Sequence, residues 1–415
     1  MHEIIRLENG VRIICERMPG VRSAAFGIFI NSGSRNEAPG ENGSAHFIEH
    51  MLFKRTEKRS AAELAFDMDA IGGQINAFTT REATCFYARV LDTHLNTAID
   101  LLSEMFFECA FDETELESER GVILEEIGMY EDTPDDVCYE KLMAGCYKGA
   151  LGRPVLGKPS TLAGMTGAGL KAYKEAHYTA GNIVVSLCGN YNESHLRRIE
   201  ACFAAMPKSK ATKPRRASYA PVAVAKRKKT EQNQFCIAFP SCQSNSDERF
   251  AMNLLSTALG GGVSSRLFQN IREKYGLCYS IYSFQSGFLD TGMLAVATAV
   301  GKDTETKALG LIGDELRALA NDGITQDELD RAREQVKSSL VMGLESANSR
   351  MLKMGNSMLV MGRSLTADEL LERYDSVTRE EILALAQSHL NPKQLSLSAI
   401  GKVEPAEEYV KALGL

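Results

Sequence analysis

Two histidines and a glutamate lie within five residues of one another near the start of this chain. The segment Gly43–Phe53 reads GSAHFIEHMLF and contains His46, Glu49 and His50. If the segment is helical, with Ser44 as its N-cap, both imidazoles leave one face about a turn apart. That spacing lets two ring nitrogens hold one zinc ion, with Glu49 on the same side to act on an activated water. The alternative is an exposed helix whose histidines pair with glutamates.

A catalytic zinc site needs a third protein ligand and one open position. The amphipathic pattern predicts a helix over Glu113–Tyr130, which carries Glu119 and Glu126. These two glutamates are seven residues apart and therefore share one helix face, whereas Glu125 points elsewhere. Both are candidate ligands, and the alternative is a row of carboxylates in water.

The chain contains an internal repeat. Residues 165–189 align without a gap with residues 377–401 at an offset of 212, and ELESER (115–120) aligns with ELDRAR (328–333) at an offset of 213. Ala332 and Ser339 then stand opposite Glu119 and Glu126, and no histidine occurs between His195 and His389. We therefore expect two copies of one domain, of which only the first carries the acidic and imidazole groups.

A basic segment separates the two copies. Met206–Lys229 contains three prolines, many lysines and arginines and no acidic residue, which is typical of a linker. The predicted division is a catalytic zinc domain at 1–205, a linker at 206–229 and a non-catalytic domain at 230–415. Each domain is expected to be an α+β sandwich with a mostly antiparallel sheet. The predicted elements of the first copy are strands Ala24–Asn31 and Cys85–Leu91 and helices Ala61–Ile71, Leu95–Phe106 and Glu113–Tyr130.

Four motifs together resemble the pitrilysin/insulinase family of zinc metallopeptidases, in particular its mitochondrial-processing-peptidase-like branch. They are His46-x-x-Glu49-His50, the pair Glu119 and Glu126, the run Gly72–Glu82 (GGQINAFTTRE), and the run Arg272–Tyr279 (REKYGLCY). The resemblance implies one zinc ion per chain. It assigns His46, His50 and Glu126 as the zinc ligands.

The resemblance also implies the roles of further residues. Glu49 is the expected general base, and Glu119 is expected to orient a ligand. Arg272 and Tyr279 are expected to stabilise the oxyanion. The residues expected to bind substrate are the edge strand Asn76, Ala77, Phe78 and Thr79, and the acidic pair Asp136 and Glu140, which suits a basic side chain.

The function that this resemblance implies is a zinc endopeptidase acting on peptides or unfolded segments inside a clamshell chamber. One chain of 415 residues would be half of that shell, so we expect a homodimer with shared active sites. Two alternatives are a non-catalytic structural subunit of the same fold, and a catalytic subunit that needs a separate partner subunit.

The amino-acid composition argues against nucleic-acid binding and against a membrane span. The formal charge is −7 and the isoelectric point is near 5.7, which argues against nucleic-acid binding. No apolar run approaches ~20 residues, so no membrane span is expected. Ten scattered cysteines without a signal-peptide pattern favour reduced thiols and a cytoplasmic location.

Overall fold

A computed structural model describes residues 2–415, which contain eleven strands and fifteen α-helices. The strands are β1 (Glu3–Arg6), β2 (Arg12–Arg17), β3 (Ser23–Ile30), β4 (Gln74–Thr79), β5 (Thr84–Leu91), β6 (Ile183–Gly189), β7 (Ala223–Arg227), β8 (Asn233–Ser241), β9 (Cys278–Gly287), β10 (Gly292–Val300) and β11 (Ser396–Gly401). The helices are α1 (Ser44–Leu52), α2 (Ala61–Ala70), α3 (Leu95–Glu108), α4 (Glu113–Asp132), α5 (Pro134–Cys146), α6 (Pro159–Leu162), α7 (Gly167–His177), α8 (Glu193–Ala204), α9 (Glu248–Gly260), α10 (Glu305–Asp322), α11 (Gln326–Gly343), α12 (Ala347–Met361), α13 (Ala367–Ser376), α14 (Arg379–His389) and α15 (Ala406–Leu413).

The chain forms two compact units that are interleaved in sequence. Unit 1 comprises Met1–Ile127, Arg153–Arg215 and Val341–Thr366, and unit 2 comprises Gly128–Gly152, Arg216–Leu340 and Ala367–Leu415. These bounds differ from the predicted division at 1–205, 206–229 and 230–415. The difference arises because each half of the chain contributes one segment to the other unit. The predicted linker also contributes β7 to the sheet of unit 2.

Each unit is an α+β sandwich built on one sheet. The strand order is β1-β2-β6-β3-β5-β4 in unit 1 and β7-β11-β8-β10-β9 in unit 2. Without β1, the two orders are identical when strands are counted along the chain. In both sheets the first and last strands of the repeat are parallel, and every other pairing is antiparallel. The predicted fold of two homologous, mostly antiparallel sandwiches is therefore confirmed.

The core of unit 1 lies between its sheet and the helices α1 and α3. Phe26 and Ile28 of β3 and Phe86 of β5 are buried there against Phe106 of α3. Seven of the eight residues of β3 are buried, as expected for a strand covered on both faces. The strands and helices predicted in this unit agree with the structure to within two residues at each end.

The second face of each sheet is covered by a helix from the other half of the sequence. Helix α12 packs on β3, where Met351 lies beside Gly27 and Phe29 beside Gly355. A Cβ atom at Gly355 would lie 2.2 Å from the Phe29 ring, so only glycine permits this approach. Helix α5 packs on β8 and β11 of unit 2. The offset of 213 makes α5 and α12 equivalent helices, so the exchange is reciprocal.

Two further properties concern the cysteines and the apolar character of the helices. All ten cysteines are free thiols; nine are buried and Cys202 is half-buried. Among residues 2–415, no helix combines the length and apolar character that crossing a bilayer requires.

Candidate metal centre

Helix α1 presents the two histidines and Glu49 from a buried position. Phe47, Ile48 and Met51 of this helix are fully buried in the core of unit 1. Burial of these residues fixes the position of the helix face that carries the histidines. On that face the rings of His46 and His50 lie 4.7 Å apart at an angle of 68°. His46 is only 6% exposed, so α1 is not the exposed helix of the alternative interpretation.

The N-terminus of α1 is held by Glu37, so the prediction that Ser44 caps the helix was wrong. The N-cap is Gly43, whose φ of 104° suits glycine. The Glu37 carboxylate accepts hydrogen bonds of 2.9 Å from the backbone N–H groups of Gly43 and Ala45 and from Asn42 Nδ2. Burial raises the pKa of Glu37 to about 7, although these hydrogen bonds oppose the rise. The periodicity of α1 does not identify Glu37, because a short 3-10 turn at Pro39–Glu41 separates it from that helix.

The structure brings His46, His50 and Glu126 together. Their ligand atoms all lie within 4.8 Å of one another. Glu126 Oε2 is 3.5 Å from His46 Nε2 and 3.6 Å from His50 Nε2. Zinc bonds of ~2.0–2.1 Å in a tetrahedral site place neighbouring ligand atoms roughly 3.3–3.4 Å apart. The donor set of two imidazoles and one carboxylate therefore fits a zinc ion in both chemistry and spacing.

The electrostatics of this group also suit a cation. Burial and the neighbouring His50 lower the pKa of His46 to about 4, so its imidazole is neutral, which is the ligand form. Burial opposes the charge of His50, but the neighbouring carboxylates of Glu126 and Glu119 outweigh burial and raise its pKa. The close approach of His50 and His46 lowers the pKa of Glu126, which favours the ionised carboxylate, while burial opposes this fall.

Glu119 joins His50 to a lysine that the sequence analysis missed. Its Oε2 accepts a hydrogen bond of 3.0 Å from His50 Nδ1, and its Oε1 lies 2.5 Å from Lys54 Nζ. Glu119 is 5% exposed, so this buried carboxylate has both of its oxygens occupied. The bond fixes the His50 ring with Nε2 toward Glu126. Lys54 lies four residues after His50 but beyond the end of α1 at Leu52, so helix periodicity gave no signal for it.

The edge strand β4 contacts the general-base candidate directly. Thr79 Oγ1 donates a hydrogen bond of 2.5 Å to Glu49 Oε2. Burial raises the pKa of Glu49, and the hydrogen bond from Thr79 opposes that rise. β4 pairs only with β5 among the described strands, so its outer edge can accept another strand. Ala77 shares the inner face with Thr79, while Asn76 and Phe78 are exposed on the other face.

The remaining predicted residues belong to unit 2. The Arg272 guanidinium lies 4.9 Å from the centre of the Tyr279 ring, and Tyr279 is 78% exposed. Asp136 and Glu140 lie on α5. Burial and the neighbouring carboxylates, including Glu140, raise the pKa of Asp136. Each pair is thus a local cluster, one of cation and aromatic ring and one of like charges.

Comparisons with known proteins find similarity to members of one peptidase family over most of the chain. Residues 12–159 match the family described as Insulinase (Peptidase family M16), and residues 165–336 match Peptidase M16 inactive domain. The Bacillus subtilis (strain 168) protein "Uncharacterized zinc protease YmxG" is 42% identical over 382 residues, which cover 92% of this chain and 93% of that protein. The Streptomyces coelicolor protein "Uncharacterized zinc protease SCO5738" is 42% identical over 410 residues, covering 96% and 89% respectively. A crystal structure of a peptidase M16 inactive domain from Pseudomonas fluorescens shares the fold, with a TM-score of 0.90 over 98% of both chains at 20% identity.

Proposed function

This chain belongs to the insulinase (M16) peptidase family, and we propose that it is a zinc endopeptidase acting on peptides or unfolded segments. One observation carries the proposal. The ligand atoms of His46, His50 and Glu126 lie within 4.8 Å of one another, and Glu49 leaves the same helix face. The second copy of the domain lacks all four groups, so the cluster is specific to unit 1.

Each residue of the metal centre has a separate role in the proposed reaction. His46, His50 and Glu126 would hold the zinc ion, which when bound supplies a Lewis acid for amide hydrolysis. Glu49 accepts the proton of the attacking water and returns it to the leaving amine, so one water is consumed and an acid and an amine form. Thr79 orients Glu49 through its 2.5 Å hydrogen bond. Glu119 orients His50.

The substrate lies against β4 in this proposal. An extended peptide adds to the free edge of the strand through main-chain hydrogen bonds, which are independent of side-chain identity. Because Thr79 contacts Glu49, a peptide on this edge has its backbone beside the general base. A requirement for an extended backbone favours peptides and unfolded segments over folded proteins.

A matched set of three variants tests the zinc endopeptidase. Glu126→Gln should lose bound zinc and activity on a fluorogenic peptide, whereas Glu49→Gln should keep zinc and lose activity. Glu125→Gln, an exposed neighbour of Glu126 on α4, should behave as the unaltered protein. A chelator should abolish activity, and added zinc should restore it. Full zinc content in Glu126→Gln, measured by elemental analysis, would refute the ligand assignment.

We also propose a homodimer in which Arg272 and Tyr279 of one chain serve the zinc site of the other. The support is the family resemblance and the exposure of Tyr279 beside Arg272. A mixture of Glu49→Gln and Tyr279→Phe chains tests the sharing. Equal mixing should restore roughly a quarter of normal activity, since half of the dimers then contain one intact site. No recovery after mixing would place Tyr279 and Glu49 in the same chain's site.

The alternatives differ in what the isolated chain does. A non-catalytic structural subunit would be inactive with zinc bound, and a subunit needing a separate partner would gain activity only when that partner is added. Chelator-sensitive activity of the isolated chain, eluting at the size of a dimer in gel filtration, rules out both. The ten free thiols support a reducing location such as the cytoplasm.

A further inference from the structure

Unit 1 contains a cavity that is separate from the metal centre. It has a volume of about 800 Å³ and lies among α3, α7, α8 and residues 205–209. Its apolar wall includes Phe107, Tyr178, Met206 and Pro207, and the half-buried thiol of Cys202 also lines it. Neither histidine of the metal centre nor any of its three glutamates contributes to this wall. Cavities of roughly 300–1,000 Å³ with mainly apolar walls are typical small-molecule sites.

The cavity wall includes Lys174, which forms no ion pair with a carboxylate of the described residues. Lys174 of α7 is half-buried, and its Nζ lies 5.3 Å from the centre of the Phe106 ring and 6.0 Å from that of Phe111. Both rings are buried themselves. Burial lowers the pKa of Lys174, since the ammonium has lost much of its water. In the part of the chain that the structure describes, no carboxylate forms an ion pair with this ammonium.

The acidic side chains around the cavity already have other partners. Three of them form ion pairs with cations other than Lys174: Asp100 with Arg198, Glu104 with Arg59, and Glu108 with Lys58. Glu175 follows Lys174 in the chain and is exposed to solvent, and its charge opposes the fall in the pKa of Lys174 without forming an ion pair with it. A partly buried ammonium without a counter-ion is unfavourable, and an anionic ligand would remove that cost. Lys174 is therefore the one cation of this wall that remains available to a ligand.

We propose that this cavity binds a carboxylate carried on an apolar chain. The carboxylate pairs with Lys174, and the chain lies against Phe107, Tyr178 and Met206. A neutral apolar molecule leaves the ammonium uncompensated, and a purely polar anion leaves the apolar wall in water. Two sources share the proposed chemistry: a medium-chain fatty acid, and the C-terminal residue of a peptide that ends in an apolar side chain.

Cys202 provides a probe inside the cavity without any alteration of the protein. It is the one half-buried thiol, while the other nine cysteines are buried, so a small neutral reagent modifies it selectively. The experiment measures the alkylation rate of Cys202 by iodoacetamide, followed by mass spectrometry, with decanoate, decanol or N-acetyl-Leu-Leu present. At ten times its Kd, a ligand that fills the cavity slows the reaction about tenfold. Decanoate should protect Cys202 and decanol should not.

Variants of Lys174 test whether the ammonium is responsible. Lys174→Met should lose protection by decanoate, while Lys171→Met, which alters an exposed lysine on the same helix, should keep it. Lys174→Gln repeats the test with a polar side chain if the methionine variant unfolds. Stronger protection by N-acetyl-Leu-Leu than by decanoate assigns the site to peptide C-termini, and the reverse assigns it to fatty acids. The proposal is overturned if neither carboxylate protects the unaltered protein, or if both Lys174 variants, correctly folded, remain protected.

Discussion

The buried carboxylate of Glu119 offers a quantitative test of how the metal centre is positioned. In Glu119→Gln the amide oxygen can still face His50, but the NH2 group then meets Lys54, which also donates. A hydrogen bond between a charged acceptor and a donor contributes about 1.5–3 kcal/mol. Loss of a group that orients a metal-bound histidine costs about 10–100-fold in metal affinity, or ~1.4–2.7 kcal/mol. The two magnitudes agree, so we expect zinc affinity to fall by one to two orders of magnitude.

Competition with a chelating indicator measures this change directly, without reference to peptidase activity. The matched control is Glu117→Gln, which alters a largely exposed carboxylate on the same helix that pairs with Arg120. The double variant Lys54→Met/Glu119→Gln should recover part of the loss, because the amide no longer faces an ammonium. An unchanged zinc Kd in Glu119→Gln would refute the idea that the 3.0 Å bond to His50 supports metal binding.

Three further outcomes follow from contacts described above. Thr79→Val removes the hydroxyl that donates to the general base, so kcat should fall about 10–100-fold, while Thr79→Ser should retain activity in the peptide assay. Burial lowers the pKa of Lys353 from 10.5 to about 8, so the folded state disfavours its charge and stability should rise with pH between these values. Lys353→Met should therefore raise the free energy of unfolding by about 2 kcal/mol at pH 7, after allowance for the partial exposure of the side chain. At a pH where the lysine is neutral in both states, the same substitution should change the free energy of unfolding by almost nothing. Urea unfolding at several pH values checks both expectations. Gly355→Ala should destabilise the protein by about 1–3 kcal/mol through the clash with Phe29, whereas Gly121→Ala, with open space around it, should stabilise it by up to about 1 kcal/mol in thermal unfolding.

The sequence was most informative where a regular element determines spacing. The placement of His46 and His50 on one face of α1, and of Glu119 and Glu126 on one face of α4, follows from helix periodicity alone. The repeat predicted two copies of one domain, and the matching strand orders confirm it. The meeting of α1 with α4 is a tertiary contact. Periodicity within either helix could not predict it, so Glu126 depended on the family resemblance.

The sequence was least informative where an irregular backbone or a distant segment decides the structure. Glu37 reaches the N-terminus of α1 across a short 3-10 turn that lies outside the helix, and the expectation for Ser44 was wrong for this reason. The boundary at 205 followed a change in composition. Contacts decide which unit a helix joins, and composition does not record that α5 and α12 are exchanged.

The exchange of α5 and α12 affects how the protein can fold during synthesis. Unit 1 needs residues up to Thr366, so the β3 face that carries Phe29 stays uncovered until most of the polypeptide has left the ribosome. Domains usually fold in order from the N-terminus, but unit 1 of this chain cannot be completed before residues up to Thr366 have been synthesised. The nascent protein therefore exposes an apolar sheet face for most of its translation.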